Sequence, residues 1–200
     1  MQPLIVASRN PDKIRELKEL LSPLKIVVHS FLDFPTIPSP IEDKDTIAGN
    51  AMKKALYGAS RIGMLCLADD TGMFIDALDG APGVYSARYA GTGCSYLDNR
   101  RKVLIQMDGK QNRAAHFDTA IALADRDGII AIVTASVSGT ICIRERGENG
   151  FGYDNLFEPD GLGKTYAELS DVEKNIYSHR SLAIKKIIPI LERIVTSCND

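Results

Sequence analysis

Leu4 to Ala7 is a short apolar run that ends at Ser8-Arg9-Asn10, after which Ile14, Leu17, Leu20 and Leu21 recur at helical spacing. A strand, a tight loop and a helix packed into so few residues restrict the chain to folds that combine strands with helices around one core. Asn10 suits the N-cap of this helix, and Pro11 its first turn, where a missing N–H breaks no hydrogen bond. Leu24 to Val28 reads as a second strand, and Pro35, Pro38 and Pro40 then punctuate a loop or edge strand. From Asp45 to Ile62 the residues Ile47, Ala51, Ala55, Ala59 and Ile62 form one stripe, the pattern of an amphipathic helix. Met64 to Ala68 is a short buried strand expected to deliver Asp69 and Asp70 at its C-terminal end, a place where α/β folds put ligand crevices. Thr71-Gly72 follows as a turn signal. If the strand instead stays extended, the two aspartates point to opposite faces.

Farther along, Phe117, Thr119, Ile121 and Leu123 alternate, and after Asp125-Arg126-Asp127-Gly128 comes a β-rich run from Ile129 to Val137, which together read as a hairpin. A glycine-rich stretch, Gly147 to Gly152, precedes a final helix over Ser178 to Val195. Its packing positions are Leu182, Ile187, Ile190, Leu191 and Ile194, and Pro189 should bend it or lie near a kink. The expected fold class is α/β with a mixed sheet flanked by helices, and 200 residues suit one domain better than two small ones.

Lys and Arg number 24 against 26 Asp and Glu, a formal charge of −2 spread along the chain, which argues against nucleic acid or an acidic membrane as partner and for a small substrate. Cys66, Cys94, Cys142 and Cys198 lie far apart, without a Cys-x-x-Cys pair, which excludes a zinc motif and a disulfide framework and fits a reducing cytoplasm. Neither a signal-like N-terminus nor an 18-residue apolar run is present, so a cytoplasmic location is expected.

Three acidic positions carry candidate chemistry: Glu42 before the second helix, and the pair Asp69-Asp70. A few carboxylate oxygens, completed by water and phosphate oxygens, suit Mg²⁺. Basic candidates are Lys13, Lys53, Lys54, Arg88, Lys174 and Arg180. Lys13 stands in the first turn of a helix, where a cation is disfavoured unless an anion shares the place, and the amides around Asn10 to Lys13 could cradle that anion. Gly150-Phe151-Gly152-Tyr153-Asp154 puts an aromatic between glycines, which allows backbone to approach a flat ligand. His179, beside Arg180, could donate to a carbonyl oxygen on a base.

These segments resemble the inosine triphosphate pyrophosphatase family, the non-standard purine nucleoside triphosphate pyrophosphatases, through four motifs in order. They are Ser8-Arg9-Asn10-Pro11-Asp12-Lys13 with Glu16; Ala68-Asp69-Asp70-Thr71-Gly72 running on to Gly80-Ala81-Pro82-Gly83-Val84-Tyr85-Ser86-Ala87-Arg88-Tyr89-Ala90-Gly91; Gly150 to Asp154; and Lys174-Asn175 with Ser178-His179-Arg180. The resemblance implies an elongated α/β fold of two lobes around a central cleft, a homodimer, and Mg²⁺-dependent cleavage of ITP, dITP and XTP to monophosphate and pyrophosphate. It implies that Asp70 activates water and binds metal, that Glu42 is a metal ligand, and that Asp69 supports them. Ser8, Arg9, Asn10, Asp12, Lys13 and Thr71 would hold phosphates. Phe151, Gly152, Tyr153, Asp154, Lys174, His179 and Arg180 would surround base and sugar, with His179 and Arg180 near the purine. In the segment Thr46-Ile47-Ala48-Gly49-Asn50-Ala51 the glutamate of the family pattern is replaced by Gly49, the usual serine after the aspartates is Thr71, and the usual proline after Asp154 is Asn155. A phosphomonoesterase using the same carboxylates, and a nucleotide-binding regulator without turnover, are the rival readings.

Overall fold

The computed structural model describes residues 3–197, so Cys198 lies outside the described residues. In chain order the elements are β1 (Leu4–Val6), α1 (Pro11–Leu21), β2 (Val28–Ser30), α2 (Ile47–Ile62), β3 (Leu65–Ile75), β4 (Pro82–Gly83), α3 (Tyr96–Gln106), β5 (Ala114–Ala124), β6 (Ile129–Ile141), β7 (Phe157–Pro159), α4 (Asp171–Tyr177) and α5 (His179–Ser197). One mixed sheet runs in the order β2-β1-β3-β5-β6-β7, with β4 beside β3. β1 pairs in parallel with β2 and with β3, in the registers Leu4↔Val28 and Leu4↔Leu65. β4 pairs antiparallel with β3, and β7 with β6. The α/β class and the mixed sheet are as expected. Among the described residues no helix is long and apolar enough to cross a membrane.

The chain divides into two compact units. Unit 1 comprises the residues through Asp70, Thr119–Ala135 and those from Arg180 onward; unit 2 comprises Thr71–Asp118 and Ser136–His179. The chain passes from one to the other after residues 70, 118, 135 and 179, so neither unit is a separable stretch of sequence.

In unit 1 the period-two alternation of the strands sorts side chains by size. Leu4 and Val6 of β1, Leu65 and Leu67 of β3, and Ile121 and Leu123 of β5 share one core with Ile14, Leu17 and Leu21 of α1 and with Ile184, Ile187 and Leu191 of α5. The intervening positions Ile5, Cys66, Ala68, Ala120, Ala122 and Ala124 pack with Ala51, Ala55 and Ala59 of α2. Leu, Ile and Val side chains thus face α1 and α5, whereas the α2 face of the strands, Ile5 apart, is lined by small residues that allow that helix to lie close. Unit 2 has its own core, in which Phe117, Phe157 and Tyr166 meet as an aromatic cluster with Phe117 edge-on to Phe157 at 4.8 Å.

The structure moves three of the sequence expectations. The second strand is Val28–Ser30 rather than Leu24–Val28, because Ser22–Leu24 form a 3₁₀ turn closed by Lys25 in the left-handed region (φ 52°), and pairing with β1 begins only at Val28. Asp69 and Asp70 do not end a strand: β3 continues extended through Thr71-Gly72 to Ile75. Gly72 is there for close approach rather than for a turn, since a Cβ on it would lie 2.7 Å from the carbonyl oxygen of Gly83 in β4. Two helices carry no apolar period and escape a pattern search. α3 buries only Asn99 and Val103, and α4 buries only Lys174, each helix being started by a capping box, Ser95 with Asp98 and Ser170 with Glu173. The last helix does run through Pro189 as expected.

Gly72→Ala should push β4 off β3 and lower stability by about 1–3 kcal/mol. Urea unfolding would register this as a lower midpoint with an unchanged slope, and an unchanged midpoint would show that the two strands separate without strain.

Candidate active site

Because β3 stays extended, its two aspartates serve different faces. Asp69 continues the large-residue face. Its Oδ2 lies 3.1 Å from the Lys13 ammonium of α1 and takes two contacts from the Arg180 guanidinium of α5, at 3.2 Å from Nε and 3.1 Å from Nη2. Arg180 Nη1 in turn donates to Glu16 Oε2, one helical turn beyond Lys13. All of Glu16, Asp69 and Arg180 are buried. Burial alone would raise the Asp69 pKa, but Lys13 and Arg180 outweigh it and hold the carboxyl far below the usual carboxylate range. Arg180 is held well above its ordinary value by Asp69 and Glu16 against the same desolvation.

Asp70 continues the small-residue face and meets α2. Its Oδ1 accepts from Lys54 Nζ at 2.8 Å, and the same ammonium donates to Glu42 Oε1 at 2.8 Å. Burial works against the charge on Lys54, yet Asp70, Glu42 and Asp69 hold its pKa above that of an ordinary lysine. Burial pushes the Asp70 carboxyl up, although Lys54 pulls the other way. α2 reaches this point because its buried face repeats as Asn50-Ala51, Lys54-Ala55 and Gly58-Ala59, so Lys54 belongs to the inward stripe. Asn50 fixes the preceding loop by accepting from Lys44 N and donating to Lys44 O. Thr46 caps α2 by accepting from Gly49 N at 3.0 Å. Gly49 is therefore at the position where a capping-box glutamate would stand, and that departure from the family pattern falls on the helix cap.

The first motif is arranged chiefly by its own local bonds. Asn10 Oδ1 accepts from Asp12 N at 3.0 Å and Lys13 N at 3.3 Å, and Ser8 Oγ accepts from Asn10 N at 3.2 Å. Asn10 thus caps the Asp12 and Lys13 amides. The Arg9 guanidinium fastens the proline-punctuated loop through the carbonyls of Phe34 and Ile37. Thr71 follows Asp70 within β3.

In unit 2, Asp154 Oδ2 accepts from Phe151 N at 2.8 Å and from Lys174 Nζ at 2.6 Å, and the Lys174 ammonium lies 4.9 Å from the centre of the Phe151 ring. Tyr153 is buried, and its hydroxyl donates to Ser86 O at 2.8 Å. Ser86 Oγ accepts from Met73 N and donates to Gly83 O, which binds the longest motif to β3. His179 opens α5, buried and stacked on Phe117 with centroids 4.6 Å apart. Gly152 turns the chain at φ 64°.

These placements give Asp69 and Arg180 each other as partners. Extended backbone turns Asp69 toward Lys13 and Arg180, whereas Glu42 and Asp70 meet at Lys54. The Arg180 guanidinium is engaged by Asp69 and Glu16. Lys54 and Glu16 are the residues that sequence reasoning undervalued. The signal for Lys54 was its place one residue before Ala55 in the stripe, and for Glu16 its place between Ile14 and Leu17 on a buried helix face.

Among the described residues no three His, Cys, Asp or Glu side chains gather as a metal cluster. Mg²⁺ does not require one: it takes one or two carboxylates and fills the rest of its octahedron with water and phosphate oxygens. Glu42 and Asp70, brought together on one ammonium, fit that need.

A model of the Ham1 family matches residues 4–190. The chain belongs to that family. It is 45% identical over 193 residues to a dITP/XTP pyrophosphatase of Exiguobacterium sp., covering 94% of this chain and 98% of that one, and 44% identical to a dITP/XTP pyrophosphatase of Desulforamulus reducens, covering 96% of each. Among solved structures it is similar to a Ham1 protein of Coxiella burnetii, with a TM-score of 0.85 at 36% identity over 98% of this chain and 100% of that chain. A Staphylococcus aureus Ham1 protein gives a TM-score of 0.83 at 33% identity, covering 98% of this chain and 99% of that chain. Membership in the Ham1 family bears out the resemblance read from the four motifs.

The buried pairs set a measurable stability. Arg180→Met would leave Glu16 and Asp69 without their shared guanidinium and should cost about 3–5 kcal/mol, as loss of one partner of a buried ion pair does. A loss below about 1 kcal/mol in urea unfolding, the size of a surface pair, would mean that the network contributes little to folding.

Proposed function

We propose that the protein hydrolyses non-standard purine nucleoside triphosphates (dITP, XTP and ITP) to the monophosphate and pyrophosphate with Mg²⁺, and so keeps these bases out of the nucleotide pool. The observation that carries this reading is the convergence of Glu42 and Asp70 on Lys54. The names of the relatives, dITP/XTP pyrophosphatases, support the reaction and the substrate class.

In this reading the residues around Asp70 handle the triphosphate. Glu42 and Asp70 would hold Mg²⁺, whose chemistry is to neutralise phosphate charge and make a water more acidic. Asp70 takes the proton from the attacking water; its burial keeps the carboxyl from being as weak a base as an exposed aspartate. Lys54 and Lys13 offset the charge that gathers on the phosphate oxygens, and Ser8, Asn10, Asp12 and Thr71 complete the phosphate surroundings. No side chain becomes a nucleophile; the residues supply position and charge.

The base and sugar fall to Phe151 to Asp154, Lys174 and His179. The face of the His179 ring is covered by Phe117, so its contribution to a ligand is the N–H edge, suited to a 6-oxo group. Adenine presents an amino group there and leaves that donor unpaired. Arg180 and Arg9 act in this reading through the elements they hold rather than through substrate. The family resemblance supports a homodimer working in the cytoplasm.

Three measurements test the reading. Product analysis across ITP, dITP, XTP, GTP and ATP should find pyrophosphate rather than phosphate, with activity lost in EDTA and restored by Mg²⁺; release of phosphate alone would favour a phosphomonoesterase. Asp70→Asn should lower kcat by about 10²–10⁴, the usual contribution of a positioned base, and near-normal turnover would sink the role given to Asp70. His179→Ala should shrink the preference for ITP over ATP by roughly 5- to 150-fold, the equivalent of one unpaired donor; an unchanged ratio would remove the histidine from base reading.

A further inference from the structure

Helix α3 carries Tyr96 and Arg100 four residues apart on one face, and both meet the aromatic turn that follows Gly150. The Tyr96 and Phe151 rings lie 5.9 Å apart, tilted by 42°. Arg100 Nη1 donates to the carbonyl of Gly152 at 3.1 Å, while its Nε lies 3.1 Å from Glu145 Oε1. The Arg100 side chain is only 15% exposed.

This turn needs an external hold. Phe151 is flanked by Gly150 at φ 73° and Gly152 at φ 64°, residues with the freest backbone in the chain. Asp154 secures its start by accepting from Phe151 N. The carbonyl of Gly152, immediately after the ring, is secured by Arg100. A guanidinium suits the task because its rigid fork reaches a carbonyl and a carboxylate at once, which an ammonium on a flexible stem does not do as well.

We propose that Arg100, braced by Glu145, is a positioning residue that sets the plane of Phe151 for stacking on the purine. The proposal rests on the reading in which this turn holds the base. Its effect is on binding of the base, equally in ground state and transition state, so it falls on KM rather than kcat.

Steady-state kinetics on the full chain with ITP test it. Arg100→Met, which keeps the apolar stem, should raise KM by about tenfold with kcat changed by less than about twofold, and Arg100→Lys should recover part of the loss. Glu145→Gln should move KM in the same direction by less. Inhibition by inosine monophosphate should weaken in parallel, while inhibition by inorganic pyrophosphate, which has no base, should stay unchanged. An Arg100→Met enzyme with unchanged KM, beside a Phe151→Ala enzyme with a raised KM, would overturn the positioning role and leave the base site standing. If Phe151→Ala also leaves KM unchanged, the base-site reading fails first. Equal weakening of inosine monophosphate and pyrophosphate, with a lower thermal midpoint, would assign Arg100 to folding alone and overturn the proposal.

Discussion

The carboxylate of Asp69 is the fixed point of unit 1. It is buried with three cationic nitrogens against one oxygen, and those nitrogens come from the first turn of α1 and the first turn of α5. A charge removed from water is tolerated only when paired and hydrogen-bonded, so the two helix starts are tied to β3 at this level and to each other through Glu16. The apolar core beneath, built from Leu, Ile and Val, attracts α1 and α5 to the sheet without choosing how far along it they stop. Directional ion pairs make that choice. The position of Lys13, and of the loop that Asn10 caps, follows from it.

The opposite face works by size. Alanines on both the helix and the strands let α2 approach closely, and Lys54 comes in on the same buried stripe to the level of Asp70. An ammonium there keeps two carboxylates together that would otherwise repel each other. The pair is thus assembled by the fold itself.

Much of this was legible in the sequence. The strand and helix at the N-terminus, the Asn10 cap, the Ala51-Ala55-Ala59 stripe, the hairpin and the last helix all follow from period, caps and turn residues. What failed did so for stated physical reasons. α3 buries only Asn99 and Val103 and α4 only Lys174, so neither carries an apolar stripe, and capping boxes are the trace they leave. Thr71-Gly72 carries a turn signature, but β4 demands a glycine for close approach, and the sheet overrides the local preference. Among the candidate residues, the types at Glu42, Asp70, Asp154 and Lys174 announced themselves. The pairing of Arg180 with Glu16 joins residues 164 positions apart, and no local pattern encodes a contact of that range.

The extension of β3 through both aspartates has one more consequence. Neighbouring residues on a strand exchange faces whenever the strand slips by one, so the partner set of each carboxylate is written into the alignment of β3 with β1. With Leu4 opposite Leu65, Asp69 meets the guanidinium and Asp70 the lysine of α2. Offset by a single residue, the same two side chains would trade surroundings, and the carboxylate placed beside Lys54 would be the wrong one. The hydrophobic residues that key β1 into the sheet therefore set the alignment on which the surroundings of both carboxylates depend, although none of them carries a polar side chain.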